Sequence, residues 1–222
     1  MSNEIADIRE QIKREISTAR DTVPAPSGRS ISTRGKMFHM PDGTQHRGPM
    51  KAVILDWRNY NRYYTQAFDP QNPVPPMCFA IDSVIHNMAP HEEAKEPQSE
   101  TCASCAHNKW GSAPQGKGKA CRNTVRIAIV PPESDENSEP MLLNISPTGL
   151  KGWAAYVNDL TSREMHPLMV VTEIALDADK PYPTLLFSAQ SAHSDSEQAM
   201  VTAARLRHKA QILLDAPPTS GE

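Results

Sequence analysis

The sequence predicts a mainly β domain of α+β type, a small closed or half-closed β-barrel with a helix at each end. Three observations carry this. Short apolar runs bounded by turn residues recur between residues 35 and 190. Helical periodicity appears near both termini and once between strands. No internal repeat divides the chain into equal units.

The elements follow in order. Ile5, Ile8, Ile12 and Ile16 are spaced three, four and four residues apart, which puts one narrow apolar stripe on a charged helix over 3–22. PAPSGRS then reads as a linker. GKMFHM and KAVILDWR read as two strands around PDGTQHRG, where Asp42-Gly43 supplies the turn. Prolines 70, 73, 75 and 76 interrupt regular structure. TVRIAIV (124–130) and PMLLNIS (140–146) are the next strands, joined by the acidic loop PPESDENSEP.

Ser146-Pro147 signals a helix start, with Leu150, Trp153, Ala154, Val157 and Leu160 on one face. PLMVVTEIALD (167–177) and PTLLFSAQ (183–190) form a last strand pair. Ser194 and Glu197 have capping-box spacing and open a helix carrying Ala199, Ala203, Leu206, Ala210 and Leu213. Pro217-Pro218 end it. The expected division is 1–28 for the N-terminal helix and linker, 29–192 for the barrel with a cysteine loop at 78–121, and 193–222 for the C-terminal helix and tail.

The chain of 222 residues is long enough to bury a core without disulfide staples. It has no run of about 18–20 apolar residues and no signal-peptide pattern, so no membrane partner is expected and a cytoplasmic location is. In that reducing compartment clustered cysteines bind metal or do redox work. Cys102-x2-Cys105 brings two thiols to one side of a tight turn, Cys121 follows, and Cys78 precedes them. A redox CxxC expects a βαβ setting that is missing here. The loop between, NKWGSAPQGKGKA, has almost nothing to bury. Ligand type and spacing therefore point to zinc, with His86, His91 and His107 as alternatives to Cys78. A site filled by four protein ligands leaves no place for a catalytic water, which makes the zinc structural.

The net charge of −3 hides a local asymmetry. Lys109, Lys117, Lys119, Arg122 and Arg126 lie between Thr101 and Pro132 with no acid among them. ILDWRNYNRYY adds rings to charges. Strand alternation puts Arg58, Tyr60, Arg62 and Tyr64 on one face, with Tyr63 beside them, and Val53, Leu55 and Trp57 on the other. Alternating cations and rings suit single-stranded nucleic acid, since rings stack on unpaired bases and guanidiniums meet phosphates. The bland reading is a tyrosine cluster closing one end of the barrel. Lys109 and Trp110 beside Cys105 repeat the same chemistry.

PPMCFAID, PQSETCASCAHNKWGS and GKGKACRNTVRIAIV resemble a pattern in tailed-bacteriophage proteins similar to zinc-containing, OB-fold single-stranded-DNA-binding proteins. The resemblance covers roughly residues 34–190. It implies an OB-like barrel, Cys78, Cys102, Cys105 and Cys121 as zinc ligands, and a groove lined by the basic and aromatic residues above. Proteins of that function usually end in a strongly acidic tail that recruits partners, whereas this chain ends in DAPPTSGE. The expected function is non-catalytic: coating and protecting single-stranded DNA in phage replication or recombination, within the host cytoplasm. Phage replication or recombination proteins are expected partners, and the terminal helices are expected to support a homo-oligomer. The rival is a zinc-stabilised adaptor that binds a host or phage protein. A nuclease built on Asp56 and Asp82 has no paired acidic motif behind it.

Overall fold

Residues 29–66, 69, 74–192 and 197–218 are described in a computed structural model. β1 (Ser30–Ile31) precedes a short hairpin of β2 (Phe38–His39) and β3 (Gln45–His46), and β4 (Met50–Tyr63) follows as one run of 14 residues. Next come β5 (Cys78–Asp82), β6 (Cys121–Val130), β7 (Met141–Ile145), α1 (Leu150–Ser162), β8 (Val170–Leu176), β9 (Leu185–Ala192) and α2 (Glu197–Leu214). The expected helix over 3–22, the linker up to Gly28 and Ser194 of the expected capping box lie outside the described residues.

The strands make one curled sheet in the order β1-β7-β6-β4-β8-β9, with β5 also paired to β4. It is a half-barrel of mixed α/β type, carrying two helices among the described residues. β4 organises it. One edge of β4 pairs with β6 from Val53 to Tyr63, while the other meets β8 at 50–52 and β5 at 59–63. A strand with two partners on one edge must bend between them. The bend coincides with a bulge between Ile54 and Asp56, the device that increases twist and re-aims side chains.

That bulge changes the phase of the strand. Val53 and Leu55 pack under α2 with Leu206, Ala210 and Leu214, and beyond the bulge Arg58 still faces α2, where it meets Asp215. Trp57 instead joins Ala52 and Ile54 on the inner face, packed edge-on to Trp153 of α1 with ring centres 5.6 Å apart. The expected grouping of Trp57 with Val53 and Leu55 is therefore corrected. Unbroken alternation holds on either side of the bulge but not across it.

Two other expectations change. The partner of Phe38–His39 is Gln45–His46, inside the segment read as a turn, rather than KAVILDWR. Asp42 closes the hairpin by accepting from the Thr44 N–H at 2.8 Å, and Gly43 takes a φ of +85°. β5 follows the prolines directly, where no strand is expected.

Of the face expected on α1, Trp153 and Leu160 are buried and Ala154 is exposed, while Tyr156 is buried and its hydroxyl meets that of Thr172 at 2.6 Å. Gly149 enters α1 so closely that a Cβ there would sit 3.0 Å from Ile145 Cγ2. Gly149→Ala is expected to cost about 1 kcal/mol by overpacking, read as a lower urea midpoint. The α2 face of Ala203, Leu206 and Ala210 is buried against the sheet of its own chain. The acidic loop supplies counter-charge to this helix: Glu136 pairs with Arg205, and its carbonyl accepts from Lys209 at 3.0 Å. No helix among the described residues is long and apolar enough to cross a membrane.

Candidate metal centre and nucleic-acid groove

Strand register explains why distant cysteines meet. Tyr63, the last residue of β4, pairs with Cys78 at the start of β5 on one side and with Cys121 at the start of β6 on the other. Directly opposed residues point to one face of a sheet, so these two cysteines flank Tyr63 on the inner face. The CxxC loop then folds over them. The Cys102 N–H donates to the Met88 carbonyl at 2.9 Å, and the Asn108 amide donates to the Cys102 carbonyl at 2.8 Å.

All four cysteines are free thiols and line one cavity of about 20 Å³, together with Asn61 and Tyr63. That is room for a single small sphere. Among the described residues no histidine lines it. His107 stacks on Tyr63 at 4.1 Å, His91 stacks on Phe79 at 4.9 Å, and His86 lines the groove described below.

Burial, and secondarily the neighbouring cysteines, raise the Cys78, Cys102 and Cys121 thiols, with Cys121 pushed up to about 12. Two hydrogen bonds act the other way, from the Gln98 N–H to Cys78 and from Asn61 to Cys102. Four crowded thiols with amide donors are a donor set that suits a soft tetrahedral cation. As the side chains stand, no three His, Cys, Asp or Glu among the described residues form a ready cage. Cys78 and Cys121 start two strands apart, about 10 Å at the strand spacing, so both must lean over Tyr63 to share one ion.

The outer side of this centre is the wall of a much larger feature, a groove of about 1920 Å³. Its floor is the inner face of the β4–β6 ladder, with Asn59, Asn61 and Asn123. The cysteine loop forms one wall with Asn108, Trp110 and Lys119. Thr148 and one side of α1, from Leu150 to Asn158, form the other. Arg34 and Lys119 bring positive charge against a single carboxylate, Asp69, among the described lining residues; Arg122 borders the groove, but it is paired with Arg62 and so carries its side chain on the outer face. Trp110 is 80% exposed, and the Lys119 ammonium lies 5.8 Å from its ring centre. Tyr64 also lines the groove.

The residues singled out from sequence fall into three places. Tyr64, Trp110 and Lys119 line the groove, Lys109 and Lys117 are exposed on the loop outside it, and Arg122 stands at the groove's edge opposite Arg62. Arg58, Tyr60, Arg62, Arg122 and Arg126 share the opposite, outer face, Arg122 opposing Arg62 and Arg126 opposing Arg58. There Tyr60 has no exposed surface, and the guanidiniums of Arg126 and Arg62 lie 4.2 and 4.9 Å from its ring centre. Burial pushes the Arg62 pKa down. Arg58 grips Asp215 with two hydrogen bonds, at 2.6 and 3.1 Å. Tyr60 therefore packs as a core ring and offers no face to a base. Tyr63 lines the thiol cavity.

The sequence reading does not single out Arg34, Asn59, Asn61, Asn108 or Asn123. The available signal is that Asn59 and Asn61 alternate with the arginines and tyrosines of the same run. Fold and site together define a curled half-barrel with a thiol centre walling a mixed polar groove. No protein-family model, curated protein or solved structure matches the chain.

Proposed function

We propose that the protein is a non-catalytic single-stranded-DNA-binding protein whose cysteine centre holds a structural zinc ion. The observation that carries the reading is the groove: large, open, edged by Arg34 and Lys119, and carrying an exposed indole at Trp110. Cations for phosphates and rings for unpaired bases are the chemistry of sequence-tolerant single-strand binding. Strand order lends support. β4, β6 and β7 form an antiparallel meander, α1 follows, and β8 returns to pair with β4 before β9. We read this as an OB-like order, in which the β5 and cysteine segment occupies the first inter-strand loop, a position OB folds use for binding. Cys78, Cys102, Cys105 and Cys121 would hold the zinc, which supplies thiolate bonds that fix the loop.

The test is fluorescence anisotropy of a labelled thirty-mer, single-stranded beside duplex, over a salt series. Preferential single-strand binding is expected. With two phosphates neutralised, log K falls against log salt with a slope of about −1.4, from −0.7 for each. Trp110→Ala is expected to remove about 1–3 kcal/mol of binding, the worth of one stacked base. Equal affinity for duplex, or no binding at low salt, would end this reading. Val74, Ile85 and Trp110, exposed at the groove, would then be the anchors of the adaptor reading.

A further inference from the structure

Asn59 stands on the groove floor with its amide held from one end. Its Nδ2 donates to the Asp82 carbonyl at 3.3 Å and to the Ser83 carbonyl at 3.1 Å. Only the nitrogen end of an amide can satisfy two carbonyls, so these partners fix which way the side chain points. Its Oδ1 is turned away from them. That oxygen receives no hydrogen bond from the described residues, and it is not among the buried polar atoms sealed from solvent. Asn59 is half-buried and lines the groove, which leaves Oδ1 as an acceptor open to the occupant. The other floor amides differ. The Asn61 oxygen accepts from Asn123, and the Asn123 oxygen accepts from Lys119, so both acceptors are already taken.

The segment that Asn59 holds also supplies a platform. The Val84 N–H donates to Asp82 Oδ1 at 2.7 Å, and the Asn87 N–H donates to the Val84 carbonyl at 3.0 Å. This tight turn carries Ile85, 64% exposed, and the exposed His86, and both line the groove. An apolar side chain and an imidazole beside a fixed acceptor can hold one unpaired base by its face and its edge. We propose that Asn59, Ile85 and His86 form a base slot on the groove floor, in which Asn59 Oδ1 selects bases that carry an exocyclic amine.

The slot rests on the reading of the groove as a single-strand site and adds a base preference to it. Cytosine, adenine and guanine each carry an amino group on a base edge, where uracil and thymine carry carbonyl oxygen. An amine donates to Asn59 Oδ1. A carbonyl turned to the same atom sets two acceptors together with no proton between them. The two carbonyls on Nδ2 also polarise the amide and strengthen its oxygen as an acceptor. Cytosine and uracil share ring size and differ at this edge, so they isolate the effect.

The experiment is anisotropy of labelled deoxycytidine and deoxyuridine thirty-mers with the full chain, at neutral pH and one salt concentration, beside the variant Asn59→Ala. The parent protein is expected to bind the cytosine strand about fivefold more tightly, the worth of one net hydrogen bond. Asn59→Ala is expected to bind both strands with a ratio near one, a change that a merely structural role for Asn59 would not produce. A cytosine strand with dimethylated amines removes the donors without touching the protein, and it is expected to bind the parent no better than the uracil strand. This arm decides the matter if the variant does not fold. Equal affinity for cytosine and uracil, a preference that survives in Asn59→Ala, or full affinity for the dimethylated strand would each overturn the slot and leave the single-strand reading standing. Failure to bind any of the strands would end that reading and the slot with it.

Discussion

Replacing Asp56 by alanine is expected to lower the unfolding free energy by about 3 kcal/mol and to loosen α2 from the sheet. Asp56 sits at the β4 bulge with its side chain 8% exposed. One carboxylate oxygen accepts from the Trp57 N–H at 2.8 Å. The other accepts from Gln211 at 2.9 Å and Arg207 at 3.2 Å, both on α2. Hydrogen bonds to a charged group are worth about 1.5–3 kcal/mol each and do not add fully. Arg207 is half in solvent and finds water when its partner is lost. The estimate is therefore nearer one strong bond and a weaker one than three. Arg58 keeps Asp215 in the variant, so the end of α2 stays tethered. A urea midpoint within error of the parent would show that the apolar contacts of Leu206, Ala210 and Leu214 suffice.

The same carboxylate gives a pH signature. Burial, the largest influence, pushes the Asp56 pKa upward, but the bonds from Gln211, the Trp57 N–H and Arg207 together outweigh it and hold the group below its ordinary value. A carboxyl depressed in the folded state stabilises above its unfolded pKa, about 3.9. It loses that contribution as pH falls through the folded value. The stability gap between the parent and Asp56→Asn is thus expected to be constant near neutrality and to close below about pH 4. Asp42 and Asp135 are also depressed, by bonds from Thr44 and from Ser138 and Asn137. Both are unchanged in the variant, so the difference isolates Asp56. A gap that persists undiminished at pH 2–3 would mean that the carboxylate charge is not what holds α2.

Asp56 also marks where sequence reading stops. Runs such as TVRIAIV and PLMVVTEIALD are legible as strands because they are short, apolar and rich in β-branched residues. The helices are legible because their apolar spacing is three or four. A bulge adds one residue to one strand, and no residue type in VILDW announces it. Yet that single residue decides whether Arg58, Tyr60 and Arg62 face the groove or the back of the sheet. The groove floor was hidden for a related reason. Asn59, Asn61 and Asn123 belong to a residue type depleted in strands, and their purpose appears only when the ladder brings β4 and β6 together. β5 was hidden by the prolines before it. Convergence of the thiols is half legible. Cys102 and Cys105 declare themselves by spacing, whereas Cys78 and Cys121 meet because both open strands that pair with Tyr63.

Removing metal from the thiol centre is expected to have a large but local effect. Neither of the two main apolar clusters includes a cysteine, so the sheet keeps its packing when the ion leaves. Apart from His107 stacked on Tyr63, the cysteine loop is held mainly by polar contacts. Ser112 is the hub: its hydroxyl lies 2.8 Å from the His107 carbonyl and 2.6 Å from the Lys109 carbonyl, shares its one proton between them, and accepts from the Ala120 N–H. The zinc-loaded chain is expected to carry about one ion and to resist trypsin at Lys109 and Lys117, both exposed. The chelated chain, or Cys105→Ser, is expected to be cut there while far-ultraviolet dichroism stays near the parent's. Zinc at about a thousand times its dissociation constant should add about 4 kcal/mol of stability, because only the folded centre gathers four thiols. Equal cutting rates with and without bound zinc would mean that Ser112 and the glycine turns order the loop unaided. Failure to bind zinc, with all four thiols reacting freely, would remove the metal from the account altogether and leave the groove to stand on its charges and Trp110.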